Sequence, residues 1–323
     1  MIQETCELRS KEEELLETLE ERLGRVYAQQ RLDMERDYEE RFNGGVNFFN
    51  PDKWYSVHSI ITRALKLTGL YRLGARNTER LQVRHNCVEL QELPTGFDGF
   101  TILHLSDLHA DMNQAAVERM AELAVTLEYD ICVVTGDFRG KAYGPFDAAL
   151  RAMLRARPQL GESESVYGVL GNHDSVRMLP ELEAMGIRML VNESETIMRG
   201  NQRIHLAGVD DANYYAAANV EKAASGIPRG EFSILLSHTP EIYKQAAEAG
   251  FHLCLSGHTH GGQICLPGSI PVTLSCDLPR RMGAGPWSYH TMAGYTSVGV
   301  GSSIIPVRFN CPPEITLHHL QCA

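Results

Sequence analysis

Between residues 101 and 256 the chain returns six times to a short apolar run: Thr101 to Ser106, Asp130 to Thr135, Ser165 to Leu170, Arg203 to Val209, Phe232 to Ser237 and Phe251 to Ser256. Runs of that length bounded by polar or glycine-containing stretches predict buried strands. Helical patterns fit between them at about Ala115 to Leu127, Pro145 to Arg155, Val176 to Met185 and Pro240 to Ala249, the last with Thr239 as N-cap and Pro240 at the first helical position. Strand and helix alternating in this way restrict the chain to an α/β architecture. After Gly257 the sequence becomes strand-rich with Gly and Pro turns and closes in Glu314 to Leu320, which supplies strands enough for both sheets of a sandwich.

At 323 residues and 43% hydrophobic, the chain can bury one large core and still carry an extension. Its formal charge of −11 excludes a broad basic surface for nucleic acid, while leaving room for a small metal site that holds a phosphate. The eight cysteines form no C-x-x-C pair, and Cys132 and Cys254 fall inside apolar runs where a reduced thiol packs as a small hydrophobe. That usage suits a reducing compartment. Met1 to Glu14 lacks the basic start and apolar run of a signal peptide, and no apolar segment is long enough to span a bilayer, so the expected location is cytoplasmic.

From Ser10 to Phe42, Leu15, Leu19, Leu23, Val26, Met34 and Tyr38 follow helical spacing among many Glu and Arg residues. The stripe breaks at Gln30, which favours a helix packed on the main domain over a dimerising coiled coil, and Asn43-Gly44-Gly45 ends it. A second helix is expected from Trp54 to Leu73, in a stretch with no acidic residue between Lys53 and Asn77. Two readings fit: peripheral contact of Trp54 to Arg76 with an anionic membrane surface, or packing of Ile60, Ile61, Leu65 and Leu70 on the main domain. Arg80 to Glu92 reads as a lead-in strand before the turn Pro94-Thr95-Gly96. The expected organisation is therefore a helical extension over residues 1–80 and the main domain over 81–323.

Five strands run directly into residues that bind metals: Ser106-Asp107-Leu108-His109, Thr135-Gly136-Asp137, Leu170-Gly171-Asn172-His173-Asp174, Leu236-Ser237-His238 and Ser256-Gly257-His258-Thr259-His260. Singly, each has an ordinary explanation, since Asp and Asn cap helices and His occurs on surfaces. Together they place carboxylates, an amide and imidazoles on one edge of the strands, where loops carry function.

In order along the chain these residues resemble the motif series D-x-H, G-D, G-N-H-D/E, H and G-H-x-H of the calcineurin-like metallophosphoesterases, over roughly residues 98 to 322. The tail Pro306-Val307-Arg308-Phe309-Asn310-Cys311-Pro312-Pro313-Glu314-Ile315 resembles that of a bacterial phosphodiesterase branch. The resemblance implies a two-sheet α/β sandwich flanked by helices and a site for two divalent metal ions. Asp107, His109 and His260 would hold the first ion and Asn172, His238 and His258 the second, with Asp137 bridging. Such ligands suit Mn first, with Fe or Zn as alternatives, and no cysteine occupies a motif position. The chemistry implied is direct attack on a phosphoester by a hydroxide bridging the ions, with no covalent intermediate.

His173 would then stabilise charge or protonate the leaving oxygen, and Asp174 would orient its ring. Arg139 and Arg308 could each reach a phosphate or serve an ordinary ion pair. Asp210 and Asp211 could hold ligand imidazoles or form a turn. Gly261 and Gly262 would allow close approach to a ligand, or make a tight turn, with Gln263 orienting the loop. Phe138-Arg139-Gly140 lacks the longer continuation of the eukaryotic protein phosphatases. A phosphodiester is the expected substrate. The alternatives are a nucleotide-linked lipid pyrophosphate, as cleaved by UDP-2,3-diacylglucosamine hydrolases, then a phosphomonoester. A non-catalytic protein-binding scaffold is the rival from another class, set against seven filled ligand positions.

Overall fold

Successive residues of a strand point to opposite faces, so each central strand feeds two cores at once. In the computed structural model, which describes residues 2–43, 60–274, 276–303 and 305–323, this alternation builds four layers. One sheet has the order β1 (Gln82–Leu90), β14 (Glu314–Cys322), β2 (Thr101–Leu105), β3 (Ile131–Thr135), β4 (Val166–Val169), β5 (Arg188–Met189). The other runs β12 (Gly285–Tyr289), β13 (Met292–Thr296), β9 (Leu253–Ser256), β8 (Ser233–Leu236), β7 (Gln202–Gly208), β6 (Glu193–Arg199). The neighbours β2, β3, β4 and β5 are parallel, as are β7, β8, β9 and β13.

Ile102, Val133 and Val169 of the first sheet meet Leu206, Ile234, Leu236 and Leu255 of the second in a core between the sheets. The alternate residues Leu103, Leu105, Cys132 and Val134 face helices on the outer side of the first sheet. Ala207, Leu235 and Cys254 do the same on the second. Because the parallel strands share one direction, their C-terminal ends fall on one edge, which is where the metal-type residues lie. The two-sheet α/β sandwich is therefore present, and each expected strand in the alternating region forms within a few residues of its expected bounds.

The N-terminal region departs from expectation in two places. The helix from Ser10 to Phe42 is two helices, α1 (Ile2–Leu23) and α2 (Arg25–Asn43), because Gly24 adopts φ 86° and breaks the ladder. Leu19 and Ala28 are fully buried in the core beneath the first sheet, whereas Val26 and Met34, counted in the expected apolar stripe, are exposed. The second expected helix is described from Ile60 onward; Trp54 to Ser59 lie outside the described residues. Residues 60–67 are helical, the chain turns at Thr68-Gly69, and α3 (Leu70–Asn77) follows. No helix among the described residues is long and apolar enough to cross a membrane.

Candidate metal centre

The expected ligands meet in two groups that share one carboxylate. Asp107 Oδ1 lies 3.3 Å from His260 Nε2, which is 3.2 Å from His109 Nε2. Asn172 Oδ1 lies 3.0 Å from His238 Nε2 and 2.9 Å from His258 Nδ1. Between them, Asp137 Oδ2 is 3.8 Å from His109 Nε2 and 3.4 Å from His238 Nε2. The strands bring all seven residues together, and the backbone bends to let them converge. Asp107, His109, Asp137, His258 and His260 all have φ between 41° and 70°, a left-handed conformation that costs a side chain on the order of 1–3 kcal/mol each.

That cost is sustained because the loops hold one another. His109 N donates to Asp137 O at 3.0 Å, Asp107 N to Gly136 O at 3.0 Å, and Gly257 N to His238 O at 2.9 Å. A side chain at Gly171 would collide with the Asp137 carboxylate, so glycine there is a requirement of close approach.

Outer hydrogen bonds set which nitrogen faces inward. His109 Nδ1 is 2.9 Å from Arg139 O and His238 Nδ1 is 2.7 Å from Thr135 O. A carbonyl can only accept, so each Nδ1 carries the proton and each Nε2 presents its lone pair to the centre. Asp107 Oδ2 accepts from Ser106 Oγ at 2.6 Å and His258 N at 3.0 Å, while its buried Oδ1 has no hydrogen-bond partner.

Electrostatics point the same way. Burial opposes ionisation of Asp107 and Asp137, yet the surrounding imidazoles hold both below the usual carboxylate range. Burial lowers His260 to about 3 and His258 to about 4, so both are neutral ligands near pH 7. His238 is raised to about 10 despite its burial, chiefly by Asp137. A metal cation held by this imidazole would replace the proton on Nε2, since imidazole binds metal only in its neutral form. Ionised carboxylates, inward lone pairs and an orphaned buried oxygen fit divalent metal ions.

The remaining expected residues fall into place less uniformly. His173 Nε2 lies 3.9 Å from Asp137 Oδ2, its side chain is partly exposed, and Nδ1 is 2.7 Å from Gly140 O. Asp174 does not orient that ring: its carboxylate accepts from Gly171 N at 2.8 Å and Arg139 N at 3.3 Å, bracing the loop instead. Arg139 is buried and donates to the carbonyls of His173, Gly144 and Ala142. Arg308 is buried and donates to the carbonyls of Val298, Gly301 and Cys311. Both guanidiniums hold loops in place rather than face a ligand.

Gly261 and Gly262 have φ 57° and 79°, and a side chain would meet Cys311 at the first and Thr273 O at the second, so their own chain crowds them. Gln263 does orient its loop, accepting from Ser303 N at 2.7 Å. Asp210 and Asp211 touch no ligand imidazole; Asp211 Oδ2 accepts from Tyr214 N and Tyr215 N, each at 2.6 Å, as a turn does.

Two residues that sequence reasoning passed over lie close to the site. Glu35 of α2 accepts from Val176 N at 2.7 Å and Ser175 Oγ at 2.5 Å, tying down the end of the Asn172 to Asp174 loop. Arg31 pairs with Glu35 at 2.8 Å and Asp210 at 2.9 Å, all three buried, and its guanidinium lies 3.6 Å from the Tyr215 ring centre. Spacing of i and i+4 reads as an exposed helix pair; the signal available was that Ala28, Arg31 and Glu35 share the buried stripe.

The family model described as calcineurin-like phosphoesterase matches residues 100–262, which span every metal-type residue above. The chain belongs to that family. Relatives include the uncharacterized metallophosphoesterase YkoQ of Bacillus subtilis, 29% identical over 261 residues that cover 78% of this chain and 94% of that one. A transmembrane protein with metallophosphoesterase domain from Danio rerio is 30% identical over 277 residues, 80% of this chain and 60% of that one. Phosphodiesterase YaeI of Escherichia coli is 28% identical over 232 residues, covering 68% and 82%. This metallophosphoesterase thus carries the family's α/β fold and a residue set able to hold divalent metals.

Proposed function

We propose that the chain hydrolyses a phosphodiester at a binuclear metal centre, with manganese as the preferred ion and iron or zinc as alternatives. The observation that carries this reading is the sharing of Asp137 between two complete donor groups. Two divalent ions bound there would supply a water acidified enough to act near neutral pH and positive charge against the phosphoryl oxygens. Asp107, His109 and His260 would hold one ion; Asn172, His238 and His258 the other. Similarity to a named phosphodiesterase supports the diester over a monoester. The free cysteines among the described residues, Cys132 and Cys254 buried in strands, support a cytoplasmic location.

His173 acts on the substrate side. With Nδ1–H kept on Gly140 O, the ring turns Nε2 toward Asp137, 3.9 Å from its Oδ2, where a proton on that nitrogen can pass to the leaving oxygen or hold developing charge. His173→Ala is expected to keep its metal and lose turnover by about 10²-fold or more. Assays of diesters, monoesters and lipid-linked pyrophosphates, each with Mn, Fe, Zn and Mg, test the substrate. Absence of diester turnover with every metal, or loss of metal in the His173 variant, contradicts the reading.

A further inference from the structure

Exposed apolar side chains concentrate on two elements that are distant in sequence and joined in space. Residues 60–73 expose Ile60, Leu67, Leu70 and Leu73, with Leu67 at 89%. The hairpin of β10 (Cys265–Leu266) and β11 (Ile270–Pro271) exposes Leu266 and Ile270, and Val272 just beyond it. Segment 308–310 links them. Arg308 N donates to Gly74 O at 3.0 Å, and Asn77 Nδ2 to Arg308 O at 2.8 Å, on the helix side. Cys265 N donates to Phe309 O at 2.9 Å, and Asn310 Nδ2 to Cys265 O at 2.8 Å, on the hairpin side. The hairpin follows the His260 loop directly.

Charge separates across these elements in a definite pattern. Every charged residue between 60 and 77 is basic: Arg63, Lys66, Arg72 and Arg76, all exposed. Residues 264–276 carry no charge at all, in a chain of net charge −11. An uncharged apolar hairpin with a Pro-Gly-Ser tip beside two short basic helical segments matches the two layers of a bilayer interface. The apolar side chains suit the acyl boundary and the cations suit anionic headgroups. A second copy of the chain fits worse, since a two-fold contact would set four cations against four.

We propose that residues 60–77 and the 264–274 hairpin form one face that seats the protein on an anionic lipid bilayer, with the metal centre beside it. Resting on the hydrolytic reading above, this puts lipid-borne phosphoesters within reach of the site. Flotation of the full chain, loaded with manganese, with phosphatidylcholine vesicles and with vesicles containing phosphatidylglycerol tests it at low and high salt. Binding is expected to the anionic vesicles at low salt and to weaken in high salt. Arg72→Glu with Arg76→Glu is expected to reduce it at least about 25-fold, from roughly a fivefold contribution per cation. Leu266→Ser with Ile270→Ser is expected to reduce it at least about tenfold.

Both double variants keep wild-type turnover of a soluble diester, which shows that they fold and separates docking from hydrolysis. Vesicle binding without diester turnover upholds the face and removes the hydrolytic reading. No binding to anionic vesicles at low salt overturns the proposal. So does binding that neither variant weakens, or a self-association or protein complex that both variants abolish while vesicles are ignored.

Discussion

Arg31 and Arg63 both stand on helices of the N-terminal region, and the fold gives them opposite surroundings. Arg31 is buried between Glu35 and Asp210, on a helix whose Ala28 belongs to the core under the first sheet. Arg63 is exposed, on a helix that half-buries Ile61 and Leu65 and exposes Ile60 and Leu67. Both helices read as amphipathic and charged, and both were expected to form one extension. The difference is that α2 brings a counter-charge for each buried charge, which lets a polar stripe occupy a core position. The later segment brings cations that no carboxylate among the described residues pairs with; Lys66 lies over the Tyr71 ring at 5.2 Å. One is tied into the fold beside the metal-type residues; the other carries the face proposed above to meet a bilayer.

Breaking the buried pair should give the largest effect. Arg31→Met leaves Asp210 and Glu35 without a cationic partner in a buried site, and stability in denaturant is expected to fall by roughly 3–5 kcal/mol. Because Glu35 also holds Ser175 and Val176, turnover should drop with it. A loss below about 1 kcal/mol would erase the distinction between the helices.

Acid sharpens the comparison, because buried histidines titrate where arginines do not. His104 Nδ1 lies 3.1 Å from His318 Nε2, and His104 Nε2 lies 2.8 Å from Thr135 Oγ1, inside the first sheet. Burial lowers His104 to about 3 and pushes His318 well below its ordinary 6.5. Above about pH 6.5 neither costs anything. As pH falls below that value, the unfolded chain takes up protons the folded one refuses, and stability falls by about 1.4 kcal/mol per unit for each histidine. Between pH 7 and 5 this is roughly 2 kcal/mol for His104, and His318→Gln should remove the share of the slope that His318 adds. An unchanged slope in that variant would place the loss elsewhere.

The smallest effect belongs to the exposed helix. Arg63→Glu with Lys66→Glu should change stability by less than about 0.5 kcal/mol, since no buried group depends on either. A larger loss would show that these cations already serve the fold.

The strand ends were legible because short apolar runs followed by Asp, Asn or His obey local rules: periodicity sets the strand, and direction sets which end carries the loop. The ligand positions came from the order of the motifs, and the convergence of Asp107, Asp137 and His238 follows from parallel strands. Arg31 and Glu35 were not legible, since burial of an i,i+4 pair depends on Asp210, 179 residues away from Arg31. Asp174 was misread for a similar reason. Its neighbour His173 is next to it in sequence, yet the carboxylate turns back to Gly171 N while the ring goes to Gly140 O. The apolar hairpin escaped notice because exposure is decided by what packs over it, which spacing alone does not encode.

The claim on which the rest depends is that Asp137 serves two metal ions at once. Elemental analysis of the purified protein after loading with manganese, beside Asp137→Asn treated identically, measures it most directly. The wild type should hold close to two divalent ions per chain, and the variant, with an amide that bridges poorly, should lose metal and nearly all hydrolysis. A wild type that binds one ion or none, or an Asp137→Asn protein that keeps two with near-normal turnover, would contradict the shared centre.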